Sequence, residues 1–255
     1  MQFTIQAACG CNRGKVRANN EDNFYFDGRC LPRENNGLRH AITMEATLQK
    51  EQCMAVFDGL GGGNYGEYAS FYAAECMRAK MNELTQYAIS EKTFLTDLCL
   101  SMNQAVNDAA RKMRTSRMGS TVVSLMFYQG FVYTCNVGDS KSFRFRNGVL
   151  LQLSEDHVEG AVNFSSGRKK PALSQCLGIS EDEFIIEPYI AKGELQKGDL
   201  YLLCSDGLTD MLSDTEIRSI LSVEESAVSC VEHLIAQALE NGGRDNITVI
   251  VCEIC

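Results

Sequence analysis

The chain has 255 residues, 22% of them charged and 45% hydrophobic, a balance that excludes intrinsic disorder. Its 24 Lys and Arg against 33 Asp and Glu give a formal net charge of -9 with no basic stripe, which argues against nucleic acid and anionic membrane surfaces as partners. No apolar run approaches the roughly 20 residues that span a bilayer, so no membrane insertion is expected. The same acidity suits a protein whose carboxylates must collect divalent cations.

Met1–Cys9 lacks the basic start and long apolar stretch of a secretion signal, which points to a cytoplasmic location. Twelve cysteines are scattered from Cys9 to Cys255 without a dense framework. Most lie in apolar runs and read as small buried hydrophobes in a reducing compartment. Cys252-x-x-Cys255 and Cys9-x-Cys11 are single pairs, and a zinc site needs two.

After an initial β region, apolar residues recur at helical spacing over 67–88 (Ala69, Tyr72, Ala73, Cys76, Met77, Met81, Leu84, Ala88). They do so more cleanly over 92–114, through Leu95, Leu98, Met102, Ala105, Val106, Ala109 and Met113. Strands are expected at Thr121–Tyr128 and Phe131–Asn136, joined by a Gln129-Gly130 turn, and at Ser142–Arg146 and Val149–Leu153, joined by Asn147-Gly148. Residues 157–183 break the pattern with Gly160, Gly167, the basic Arg168–Lys170 and Pro171, and read as a short flap. Strand character resumes at Ile185–Ile190 and Asp199–Cys204. Ser213-x-x-Glu216 is a capping-box pattern that opens a short helix. A longer helix from Ala227 to Ala238 stops at Asn241-Gly242-Gly243, and Asn246–Ile254 closes the chain as a strand. Consecutive hairpins and segregated helix pairs predict an α+β fold of antiparallel sheets covered by helices, in one domain spanning 1–255.

Four acidic sites share a setting: each stands at the end of an apolar strand-like run beside Gly or Asn. They are Glu21 and Asp22 in "NNEDN", Asp58 in "AVFDGLGGG", Asp206 in "LYLLCSDGL" and Asp245 in "GGRDNITVIV". Any one alone reads as a turn or cap residue. Four at matched strand ends point to a shared rim of hard oxygen donors for Mg2+ or Mn2+. Only three histidines occur and no HExxH, so a zinc hydrolase does not fit. Gly61, Gly62 and Gly63 form neither a GxGxxG nor a GxxxxGK[ST] loop, and are better read as freedom for the backbone to turn sharply beside a metal.

The ordered set "GKVRANNED", "VFDGLGGGNYGEYAS", "MGSTVVSL", "NVGDSKSF", "LYLLCSDGLTDMLSD" and "GGRDNITVIV" resembles the PPM family of protein phosphatase 2C-type, metal-dependent Ser/Thr phosphatases, in its bacterial branch. The resemblance runs from about residue 3 to 254, with the motifs in family order. It implies a four-layer α-β-β-α sandwich, two antiparallel sheets each covered by a helix pair, with a centre of two Mn2+ or Mg2+ ions at one end. By the same resemblance Asp58 bridges both ions, the Gly59 carbonyl binds one, and Asp206 and Asp245 hold the other. Asp22 and Glu21 match the acidic pair that acts on the metals, Glu21 through water. Arg17 matches the phosphate-binding arginine; its plain alternative is a surface salt bridge. The implied reaction is hydrolysis of phosphoserine and phosphothreonine by a metal-bridging hydroxide attacking phosphorus in line. The implied substrates are phosphorylated proteins opposed to a Ser/Thr kinase. A regulatory pseudophosphatase and a hydrolase of small phosphate esters are the competing readings. Leu60 stands where many eukaryotic members carry a histidine.

Overall fold

The computed structural model describes residues 3–60, 65–83, 90–115, 118–159, 171–180 and 184–255. The glycine run 61–63, the end of the first expected helix and most of the 157–183 flap lie outside them. The elements run β1 (Thr4–Asn12), β2 (Asp22–Tyr25), β3 (Ile42–Thr47), β4 (Gln52–Leu60), α1 (Gly66–Glu83) and α2 (Glu91–Met113). Then come β5 (Gly119–Ser120), β6 (Val122–Tyr128), β7 (Phe131–Val137), β8 (Lys141–Arg146), β9 (Val149–Gln152), β10 (Tyr189–Glu194) and β11 (Leu200–Cys204). The chain closes with α3 (Asp206–Thr209), α4 (Asp214–Val223), α5 (Ala227–Glu240) and β12 (Ile247–Ile254).

Two antiparallel sheets result. One has the order β3-β1-β12-β11-β8-β9; the other runs β10-β7-β6-β4-β2, with β5 pairing β4. The period of two in a strand decides which layer each side chain enters. In β4, Cys53, Ala55 and Phe57 meet the helix-side core with Ala73 and Met77 of α1 and Leu95 and Met102 of α2. The alternate Met54 and Val56 face the inter-sheet core with Ile250, Cys252 and Ile254 of β12. On the far side, Val249 and Val251 of β12 pack against Val231 and Leu234 of α5. These three apolar layers separate four layers of secondary structure in the order α-β-β-α.

Local chemistry sets the turns and caps. Gln129 and Gly130 both have positive φ (49° and 81°), as do Asn147 and Gly148 (51° and 76°), the signature of tight two-residue hairpins. The Ser213 side chain accepts from the Glu216 N–H while the Glu216 carboxylate accepts from the Ser213 N–H, so the capping box forms.

Two expectations need correction. Of Ile185–Ile190 only Tyr189 and Ile190 are in a strand: Ile186 is buried in the helix-side core from irregular backbone, and β10 starts four residues later than expected and runs on to Glu194. Pairing with β7 selects that register, with Lys192 Nζ lying 3.7 Å from the Phe131 ring centroid. Thr121 stands outside β6: its N–H donates to the Asp58 carbonyl at 2.8 Å, but the return bond of the ladder is diverted, because the Asp58 N–H donates to the Thr121 side-chain Oγ1 at 3.1 Å. The strand β3 and the short α3 carry no clear periodic signal in the sequence.

All twelve cysteines are free. Cys9, Cys11 and Cys252 share the inter-sheet core, and Cys252 Sγ lies 3.2 Å from Met54 Sδ. Burial pushes the Cys9 and Cys252 thiols up, which keeps them protonated and inert.

Candidate active site

The acidic residues gather at one end of the sandwich because antiparallel neighbours bring a strand's end beside its partner's start. In the second sheet, Asp22 opens β2 and is the register partner of Asp58 near the end of β4. In the first, Asp206 follows β11 and Asp245 precedes β12, which pairs antiparallel with β11. Close backbone contact completes the second meeting: a Cβ on Gly207 would lie 1.9 Å from the Asn246 carbonyl oxygen and 3.4 Å from Asp245 Cβ. Glycine is the residue that permits this approach.

The two sheets are stitched together at this end by polar side chains. Asn246 Oδ1 accepts from the Glu21 N–H at 2.7 Å, while its Nδ2 donates to the carbonyls of Arg13 (2.8 Å) and Asn19 (3.0 Å). Asp22 is 1% exposed, and its Oδ2 accepts from Ser205 Oγ and Thr248 Oγ1, both at 2.7 Å. Burial pushes the Asp22 carboxyl up to about 7 against the pull of those two donors, with Asp245 and Glu21 adding to the rise. Burial likewise raises the Glu21 carboxyl, and the nearby Glu67 adds to it.

Glu21 and Gly59 are adjacent donors. The Gly59 N–H donates to the Glu21 carbonyl at 3.1 Å. A Cβ on Gly66, at the start of α1, would lie 2.6 Å from Glu21 Oε2 and 2.8 Å from the Gly59 carbonyl oxygen. The absent side chain leaves a cradle holding a carboxylate and a carbonyl. Asp58 is braced from behind: its N–H donates to Thr121 Oγ1 at 3.1 Å, and that hydroxyl lies 2.7 Å from Ser140 Oγ.

Arg17 stands among these acids. Its Nη2 donates to Asp245 Oδ2 at 2.5 Å with the guanidinium half-exposed. That hydrogen bond raises the Arg17 pKa, and the charges of Asp245, Glu21 and Asp58 raise it further. The salt bridge read as the plain alternative therefore exists, inside the acidic rim rather than on a remote surface.

The donors are hard oxygens, of the kind that fit Mg2+ or Mn2+. Among the described residues no three His, Cys, Asp or Glu side chains close around a single point as a ready cage. The acids are linked in twos, Asp22 opposite Asp58 and Glu21 tied to Glu67, with Arg17 neutralising Asp245.

Several neighbours were not legible as site residues. Asn19 Nδ2 donates to Glu21 Oε1 (3.2 Å) and to Glu67 Oε2 (3.3 Å) in the first turn of α1. Nothing in the sequence spacing of Asn19 and Glu67 places either beside Glu21. Asn246, Ser205 and Thr248 sit inside the quoted motifs, yet nothing in their spacing says that they reach across to β2.

The fold and site define an α+β sandwich of two antiparallel sheets under helices, with strand-end carboxylates and an arginine gathered at one end. The chain belongs to the protein phosphatase 2C family, whose model matches residues 40–243. The serine/threonine phosphatase stp of Listeria monocytogenes is 31% identical over 258 residues, covering 95% of this chain and 93% of that protein. The serine/threonine protein phosphatase PstP of Mycobacterium tuberculosis is 29% identical over 262 residues, 99% of this chain and 45% of PstP. A solved structure of the PstP catalytic domain in complex with two manganese ions matches with a TM-score of 0.77 at 26% identity, over 99% of each chain. No helix among the described residues is long and apolar enough to cross a membrane.

Proposed function

We propose that this chain is a Mn2+- or Mg2+-dependent protein phosphatase that hydrolyses phosphoserine and phosphothreonine in proteins, acting as one catalytic unit over residues 1–255. The observation that carries the reading is the gathering of Asp22, Asp58, Asp206 and Asp245 from both sheets at one end, with Arg17 among them. The named activities of the stp and PstP relatives support it.

Asp22, Asp58, Asp206, Asp245 and the Gly59 carbonyl are the donors that would hold two divalent ions, with Glu21 acting through water. When bound, such ions supply Lewis-acid stabilisation of the phosphoryl oxygens and acidify water near neutral pH. The chain's own residues then have distinct tasks. Arg17 presents a planar fork that pairs two phosphoryl oxygens, a geometry lysine lacks. Its present partner, Asp245 Oδ2, holds that fork at the rim before substrate arrives. Attack in line on phosphorus expels the serine or threonine oxygen without a phosphoenzyme, so catalysis is chiefly positioning and charge neutralisation. Leu60 offers no proton, so either water at the ions would have to protonate the leaving oxygen or turnover is weak.

The test is turnover of a phosphothreonine peptide and of an aryl phosphate, each with Mn2+ and with excess chelator. Hydrolysis of the peptide that chelator abolishes is the expected result. Turnover of the aryl phosphate alone would mark a small-ester hydrolase, and no turnover of either a binding protein.

Arg17→Ala is expected to raise KM for a phosphopeptide roughly tenfold or more, the size of one lost charge-assisted hydrogen bond, with kcat less affected. Steady-state kinetics at saturating Mn2+ give the answer. A change confined to Mn2+ affinity would count against the phosphate role.

A further inference from the structure

Asp22 is the most buried carboxylate of the rim, and what surrounds its Oδ2 has a definite order. The Ser205 hydroxyl accepts from the Thr248 N–H at 3.0 Å and has two acceptors within reach, Asp22 Oδ2 at 2.7 Å and the Asn246 carbonyl at 3.5 Å, of which the shorter contact to the carboxylate takes its proton. The Thr248 hydroxyl carries one proton and has two neighbours, Asp22 Oδ2 at 2.7 Å and Cys11 Sγ at 3.1 Å. The shorter, charge-assisted contact to the carboxylate takes it. Beneath them, Asn20 Nδ2 donates to Cys11 Sγ at 3.2 Å and to Asn35 Oδ1 at 2.7 Å, which closes the floor of the site.

We propose that Ser205 and Thr248 are positioning residues that lock Oδ2 of Asp22 with two hydroxyl donors, leaving Oδ1 as the oxygen presented to a divalent ion. The placement of the hydroxyls in the chain gives the lock its reach. Ser205 immediately precedes Asp206, and Thr248 lies three residues after Asp245. One carboxylate oxygen on β2 therefore sets the relative position of three donor-bearing segments drawn from both sheets. Partners of this kind orient a metal ligand, and their removal commonly costs ten- to a hundredfold in metal affinity or activity. The inference rests on the reading above only for Asp22 as an ion donor, and not for the substrate.

The experiment titrates Mn2+ calorimetrically into the wild type, Ser205→Ala, Thr248→Val and the conservative Thr248→Ser. Ser205→Ala and Thr248→Val are each expected to bind Mn2+ about tenfold or more weakly, while Thr248→Ser stays within about threefold of the wild type. At saturating Mn2+, kcat should change less than the Mn2+ constant does. A merely structural role would lower the thermal midpoint in chelator and leave the Mn2+ constant unmoved. Folded Ser205→Ala and Thr248→Val proteins with wild-type Mn2+ affinity overturn the proposal, as does a wild type that binds no Mn2+. Should Thr248→Val fail to fold, Ser205→Ala decides by the same criterion. Weakened Mn2+ binding in variants of a protein inert toward phosphopeptides supports the positioning role and sinks the substrate reading instead.

Discussion

Asp58→Asn is expected to fold normally and to lose roughly a thousandfold in kcat/KM on a phosphopeptide, about 4 kcal/mol of transition-state stabilisation. The fold should survive because the backbone at this position is held independently of the carboxylate. Its N–H donates to Thr121 Oγ1, its carbonyl accepts from the Thr121 N–H, and β2 and β6 flank the strand. The chemistry should not survive, because the amide replaces a charged oxygen with a donor that repels a cation. Kinetics with saturating Mn2+, alongside a thermal melt of the same preparation, separate the two effects. Near-native rates in the folded variant would end the assignment of Asp58 as the shared donor.

Gly207→Ala should damage fold and site together. The new methyl would lie 1.9 Å from the Asn246 carbonyl oxygen, a backbone atom, so one of the two segments has to move. Forced overpacking of this kind costs roughly 3 kcal/mol, which in a chain of this size lowers the thermal midpoint by about 6 °C. Because Asn246 also accepts from the Glu21 N–H and neighbours Asp245, the displacement reaches both halves of the rim. Mn2+-dependent turnover should fall with stability. Gly193→Ala is the control: there a Cβ meets only Val132 Cγ1, at an ordinary 3.6 Å. Equal melts for the two variants would show that the contact at Gly207 relaxes without cost.

Much of the fold is legible wherever the deciding interactions are local. Asn147-Gly148 and Gln129-Gly130 turn as expected, because positive φ is a property of the turn itself. The Ser213 and Glu216 cap is local, and in the α2 stripe Leu95, Leu98, Met102, Val106 and Ala109 are buried as its period requires, with Ala105 half-buried. The misplacement of β10 has the opposite origin. Ile185 and Ile186 are apolar enough for a strand, but an edge strand forms where β7 offers hydrogen bonds, and that lies at Tyr189–Glu194.

The candidate site divides the same way. Its acids were visible because each sits where an apolar run ends, and the carboxylates at -9 net charge first read as a barrier to anionic partners. The sequence by itself determined which residue types are present, where strands end, and to which family the motif order is similar. Only the tertiary structure decided that Asp22 faces Asp58, that Arg17 pairs with Asp245, that Glu67 joins Glu21 through Asn19, and that Ser205 and Thr248 converge on one oxygen. The physical reason is range. A turn or a cap is settled by neighbours a few residues apart, whereas Asp22 and Thr248 are separated by 226 positions. They meet only because two sheets pack face to face and bring their strand ends to one rim.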